Sequence, residues 1–233
     1  MPLALAGWYL AVTRGERDWP RTASFLAGCG LLVAALVTPL DTLARTYLVW
    51  AHLLQNVVLA EWAPLLLVLG IPAALAKRLA RRRVVRAMTQ PFVALPLWVG
   101  TYALWHLPAL YDAALRRPDS LLPLEHATYV LVGLLFWWCV WQDAPHALSS
   151  GARAGYVVAA FVLSAPLGLV LALVPNAIYD AYASAPERVF GLSRLEDQQL
   201  GGMTMAAEQS IVFFGVFAYW FLRFLSEQEA LEE

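Results

Sequence analysis

The sequence predicts an all-α integral membrane protein: one transmembrane domain over residues 1–233, a bundle of seven helices with a short first helix, N-terminus outside and C-terminus inside. Three observations carry this. Hydrophobic residues make up 61% of the chain and charged residues only 14%, against about half and about a quarter in an ordinary soluble domain. Apolar segments of spanning length follow one another with short polar connections. The basic residues are bunched in alternate connections, although the net charge is only -1.

The opening stretch Pro2 to Thr13 is apolar but reaches only ~18 Å at ~1.5 Å per residue, short of the ~30 Å hydrocarbon core. It reads as a short first helix, with an interfacial helix as the alternative. No basic segment followed by a small-residue cleavage site marks it as a secretory signal. Six further spans are expected near Ser24–Leu40, Thr46–Gly70, Pro91–Leu110, Leu121–Trp141, Ala154–Pro175 and Gln198–Leu225. Short connections make neighbouring helices antiparallel and leave no room for a second domain.

Counting Lys and Arg fixes the orientation. One set of connections holds Arg14, Arg17, Arg21, Lys77, Arg78, Arg81, Arg82, Arg83, Arg86, Arg153 and Arg223, eleven of the sixteen. The other holds Arg45, Arg116, Arg117, Arg188 and Arg194. The positive-inside rule makes the first set cytoplasmic. The run from Lys77 to Arg86 then faces anionic head groups, with topology as its main role. This pattern describes a lipid bilayer partner and gives no support for nucleic acid. Cys29 and Cys139 are too few and too far apart for a disulfide framework or a CxxC metal motif. Both fall in the inner half of the membrane and read as buried, inert thiols.

With that topology, His52 lies about two turns below the outer end of the third helix, and His106 near the outer end of the fourth. His126 opens the fifth on the outer side, and Met203 and Met205 lie in the first turns of the seventh. Three histidines and a methionine pair therefore converge on the outer leaflet from four helices, while His146 falls in a cytoplasmic loop. Each has a plain structural reading: a membrane histidine can bond a neighbouring helix, and methionine fills gaps in packing. Together they suit copper, Cu(I) above all, because imidazole with a soft, uncharged thioether is its preferred ligand mix.

Helical spacing narrows the set. Met203 and Met205 are two residues apart and cannot face one site together. Gln198, Gly201 or Gly202, Met205, Glu208 and Gln209 form a stripe that puts Met205 on the inward, polar face and leaves Met203 to packing. Gln55 and Asn56 share a face with His52 and can orient its ring. Asp41, Asp112 and Asp197 sit at outer helix ends, where capping is the ordinary role. They could equally form an acidic mouth for a cation, or a shell of partners behind the histidines. Glu125 is expected to face away from His126. Glu61 and Glu208 lie deeper, where a carboxylate is costly unless paired, protonated or hydrated.

Two other functions fit outer-leaflet histidines. One is a b-type haem electron carrier with paired histidine ligands. The other is a copper or cation transporter, although the inner half offers few polar steps beyond Glu61 and Glu208. A retinal-type receptor is excluded because the single lysine, Lys77, lies in a connection. No HExxH or GxSxG motif supports a hydrolase, and the protein is expected not to be an enzyme.

The segments AHLLQNVVLAEWAPLLLVLGIP, WHLPALYDAAL, LEHATYVLVGLLFWW and LEDQQLGGMTM resemble the CtaG family of cytochrome c oxidase assembly factors, in order and spacing, from about Trp8 into the seventh helix. The resemblance implies a seven-helix bacterial plasma-membrane protein that supplies copper during maturation of a haem-copper oxidase. Its partners would be an oxidase subunit or a copper chaperone. The family's histidines match His52, His106 and His126, and its GGxxM methionine matches Met205. The family commonly reads HxxQH in the third helix, where this chain has Asn56 in place of the second histidine. After the methionine it tends to continue with Trp and Pro-Gly, where this chain has Ala206, Ala207 and Glu208. Three histidines and a methionine remain, enough for Cu(I).

Overall fold

The computed structural model describes residues 2–15, 18–183, 185 and 189–232. Arg17 and Arg188, counted above in the charge pattern, lie outside the described residues. Among the described residues the secondary structure is helical, with no strand. In chain order the helices are α1 (Pro2–Val12), α2 (Trp19–Val37), α3 (Pro39–Thr46), α4 (Val49–Val57), α5 (Ala63–Leu69), α6 (Ala73–Ala80), α7 (Arg83–Met88), α8 (Pro91–Trp105), α9 (Pro108–Arg116), α10 (Leu121–Trp141), α11 (Ser150–Leu173) and α12 (Arg194–Glu232). A π-helical turn, Val58–Trp62, joins α4 to α5 into one rod.

Five of these helices are long and apolar enough to cross a membrane: α2, the rod Val49–Leu69, α10, α11 and α12. α8 and α9 make a sixth when taken as one span bent by 73°. The expected span Leu121–Trp141 coincides with α10, whereas the expected span Pro91–Leu110 breaks in the middle. Pro108 is the reason. A proline disfavours helical backbone at the residue before it, and Leu107 has ψ 125°. His106 caps the end of α8 at that break. Likewise Pro39 starts α3 and ends the second apolar segment at Val37 rather than Leu40. α12 extends both ways beyond Gln198–Leu225.

Large apolar side chains point outward along the spans, among them Leu163, Leu169 and Val170 on α11 and Ile211, Phe214 and Leu222 on α12. That is the surface of a protein whose solvent is lipid. Inside, Trp98, Phe136, Trp137 and Phe213 from α8, α10 and α12 pack ring on ring, with neighbouring centroids 4.8 to 5.7 Å apart. α1 lies on α2 through Tyr9, which stacks on Phe25 at 3.9 Å and donates its hydroxyl to the Gly70 carbonyl at 2.8 Å. Both cysteines are buried and unbridged. Cys139 donates to the Thr89 carbonyl, and half-buried His146 pairs through Nε2 with the Arg86 carbonyl oxygen.

Candidate functional site

The histidines gather where α4, α10 and the α8–α9 break meet. His52 on α4 places Nε2 3.1 Å from Glu125 Oε1 on α10, and Asn56, one turn along α4, donates to the same oxygen at 3.0 Å. His52 and Glu125 are completely buried. Glu125, expected to face away from its neighbour His126, turns into the centre of the cluster, and both residues stand against His52. The His52 and His126 rings lie 6.4 Å apart, centroid to centroid, with their planes at 39°. Tyr111 from α9 meets His52 edge-on at 4.9 Å.

His106 joins through Nδ1, 2.8 Å from the Tyr102 carbonyl oxygen, with the Tyr129 hydroxyl 3.4 Å away. A carbonyl only accepts, so Nδ1 carries the hydrogen and the neutral ring presents its lone pair at Nε2. The same logic applies to His52: Nε2–H donates to the Glu125 carboxylate and Nδ1 is left bare. His52 Nδ1, His106 Nε2 and His126 Nε2 are all buried without a hydrogen-bond partner. Buried polar atoms are nearly always satisfied, so three orphaned ring nitrogens in one region ask for a guest. Among the described residues, no three His, Cys, Asp or Glu side chains form a closed metal-holding group.

Met205 is buried on α12 while Met203 is 59% exposed. The buried face of α12 also carries Gln198, Gly201, Gly202, Glu208 and Gln209. Met205 shares the histidines' burial but stands outside their hydrogen-bonded network. Glu208 lies deeper still, bonded by the Trp62 indole.

The three helix-end aspartates hold backbone and neighbouring side chains. Asp197 on α12 accepts from the amides of Val49 and Trp50 at 2.8 and 3.0 Å, capping the helix that carries His52 from a different helix. Asp112 on α9 accepts from the amides of Asp180 and Ala181 at 3.2 and 2.9 Å. Asp41 pairs with Arg45 and accepts from Gln55 at 3.0 Å, so Gln55 reaches past the cluster toward α3. The pinned segment around residue 180 closes the site. Tyr179 stacks on Tyr111 at 3.8 Å and donates to the His106 carbonyl, while Tyr182 donates to the Ala44 carbonyl. Burial pushes both phenols above their ordinary range, so they stay protonated donors.

Replacing Asp112 by alanine is expected to strand two amides and cost about 1–3 kcal/mol. The loss should appear as faster amide exchange at 178–182 and a lower melting temperature, with unchanged exchange there counting against the pin.

The sequence reading did not assign Glu125, Tyr102, Tyr111, Tyr129 or Tyr179 to the site. Glu125 had a signal: a carboxylate inside an apolar span must have a partner, and His52 was the titratable group at its depth.

The fold and the cluster define a polytopic membrane protein with a buried group of histidines and a carboxylate inside its bundle. The chain belongs to the family described as cytochrome c oxidase caa3 assembly factor (Caa3_CtaG), whose model matches residues 5–227. Among curated proteins it is similar to uncharacterized proteins of Mycobacterium bovis and Mycobacterium tuberculosis, each 24% identical over 230 residues, covering 87% of this chain and 34% of the relative. An uncharacterized protein of Mycobacterium leprae is 25% identical over 222 residues, covering 83% of this chain and 33% of its own. The chain thus spans about a third of the length of the curated relatives it matches. No solved structure matches.

Proposed function

We propose that this assembly factor binds Cu(I) with His52, His106, His126 and Met205 and passes it to a maturing cytochrome c oxidase, without itself catalysing a reaction. The observation that carries the reading is the set of three buried ring nitrogens without a partner, two of them, His52 Nδ1 and His106 Nε2, left as lone pairs by the hydrogen bond at the other nitrogen. Two imidazoles sharing one ion at ~2 Å bonds have ring centres roughly 6 Å apart, and His52 and His126 stand at 6.4 Å. Glu125 behind His52, and the Tyr102 carbonyl behind His106, are the partners that orient metal-binding imidazoles. Asn56, in place of a second histidine on α4, strengthens that support by donating to Glu125.

The proposal includes seven spans, counting α1 and the bent α8–α9 pair, with the N-terminus outside. That orientation in a bacterial plasma membrane puts the histidines at the outer side. Copper would arrive there from a chaperone or the surrounding medium. It would leave by ligand exchange to an oxidase subunit, since neutral imidazole and thioether ligands release Cu(I) more readily than thiolates.

The test is metal analysis and a visible spectrum on one detergent-purified sample loaded with Cu(I). The expected result is about one copper per chain without a Soret band, as a site of imidazole and thioether ligands predicts. A strong Soret band with little copper would instead assign the histidines to haem, and neither signal would remove the metal reading altogether.

A further inference from the structure

Below the histidines lies a second buried polar group that the copper reading does not use. Glu61 is completely buried on the π turn, and Glu208 on α12 is 7% exposed. Glu61 Oε1 accepts from the Tyr102 hydroxyl on α8 and from the Gln209 amide on α12, each at 2.9 Å. Gln209 is held in that orientation by Ser164 of α11, whose hydroxyl meets the amide oxygen at 3.3 Å. Glu208 Oε1 accepts from the Trp62 indole. One oxygen of each carboxyl is thus fully served.

The other oxygen of each is not. Glu61 Oε2 and Glu208 Oε2 are buried and meet no donor, and the two carboxyls are brought together crosswise: Glu61 accepts from Gln209, the residue after Glu208, and Glu208 accepts from Trp62, the residue after Glu61. Two carboxylates in contact inside a bundle repel strongly, and one proton between them removes the repulsion and satisfies both orphan oxygens. Among the described residues, no Lys, Arg or His is hydrogen-bonded to either carboxyl. The titratable groups acting on the pair are Tyr102 from α8 and the carboxyls themselves. On α10, Glu125 and His126 lie a level above, with Glu125 engaged by His52 and Asn56. On α2, Arg21 is turned to the Ile71 carbonyl.

The helix is built to place Glu61 here. At ~100° per residue, Glu61 would stand roughly 180° from His52 in an unbroken α-helix. The π turn Val58–Trp62 absorbs one residue and swings Glu61 back toward the interior. Such turns carry a cost and collect at functional positions.

We propose that Glu61 and Glu208 form a buried site for a single exchangeable proton, a proton-binding station within the bundle distinct from the histidine cluster. Tyr102 connects the two levels, since its hydroxyl holds Glu61 and its carbonyl holds His106. The site stands on the carboxyl geometry and holds whether or not the histidines bind copper.

Infrared difference spectroscopy of the whole protein in lipid nanodiscs at neutral pH tests this. The expected result is one protonated-carboxyl C=O band that shifts on transfer to D2O and is lost or displaced in both Glu61→Gln and Glu208→Gln. The near-isosteric amides keep the volume, and monodispersity in detergent checks the fold. No such band, or one that persists in the double variant, would overturn the site. A band that appears only when sodium is withdrawn would overturn it in favour of an alkali cation, and one that never exchanges in D2O would reduce it to a fixed structural proton.

Discussion

Replacing His126 by alanine is expected to remove most of the bound copper at a smaller stability cost than the same change at any other histidine of the cluster. The two effects separate because His126 Nε2 has no partner in the fold, so its loss strands nothing. His106→Ala should lower copper content similarly, at the further cost of the bond from Nδ1 to the Tyr102 carbonyl, which keeps only the backbone amide of residue 106. His52→Ala is the less clean experiment, since it takes a donor from fully buried Glu125 and leaves only Asn56 in contact with that oxygen. Leaving a buried carboxylate oxygen short of a donor costs about 1–3 kcal/mol or more, so copper loss in that variant would be confounded with loss of fold. Glu125→Gln offers a finer test of the cluster. The amide still fills the space and can meet His52, but it offers no charge behind the imidazole. Loss of such support weakens metal binding about 10- to 100-fold. The ordering expected from competition titrations against a Cu(I) chelator is therefore wild type, then Glu125→Gln, then His106→Ala and His126→Ala. Wild-type affinity in both histidine variants would remove the site assignment.

What the sequence disclosed about this region, and what it hid, follows from the range of each interaction. Composition and basic-residue bunching depend only on local runs, so the helical, membrane-embedded class was readable directly. Placement of His52, His106 and His126 at one level needed only the alternation of the helices and the rise per residue. The inward face of α12 followed from three-to-four spacing, and Met205 and Met203 divide as that spacing demands. Hidden were the pairings made by residues far apart in the chain. Asp197 was visible as a helix-end carboxylate, but the helix it caps begins at Val49, 148 residues earlier. Glu125 was judged against its chain neighbour, whereas its partner comes from α4. The break at His106 was signalled by Leu107-Pro108 and overridden by the apolar run around it. The π turn at Val58–Trp62 had a local mark in Pro64, which has no N–H to donate to the Ala60 carbonyl four residues back, but the apolar run around it concealed the break. Glu61 gains its hydrogen bonds from α8 and α12 only if that turn widens.

Gly133→Ala is expected to be the most damaging single-methyl change in the bundle. A Cβ at Gly133 on α10 would lie 2.3 Å from the Ala60 carbonyl oxygen, 2.7 Å from Pro64 Cγ and 2.9 Å from the Ala60 carbonyl carbon. Two of these three atoms are backbone, and the third belongs to a proline ring, so no rotamer change relieves the clash. α10 and the rod that carries the π turn must move apart, and overpacking of this kind costs about 1–3 kcal/mol or more. Close approach through small residues is also what holds membrane helices together once the hydrophobic effect no longer distinguishes helix from lipid. The matched control is Gly100→Ala on α8, where a Cβ meets nothing within 4 Å. There the better helix propensity of alanine, about 1 kcal/mol, should leave the protein equal or slightly more stable. Melting temperature and monodisperse yield in one detergent would compare the two, and equal behaviour would show that α10 does not touch the rod so closely. The clash also has a reach beyond stability. Ala60 is the residue before Glu61 and accepts from the Trp98 indole at 3.4 Å, so a displaced Ala60 carries the π turn with it. A Gly133→Ala protein that still folds should therefore show a displaced carboxyl band while keeping its copper, because His52 and His126 lie outside the contact that the new methyl disturbs.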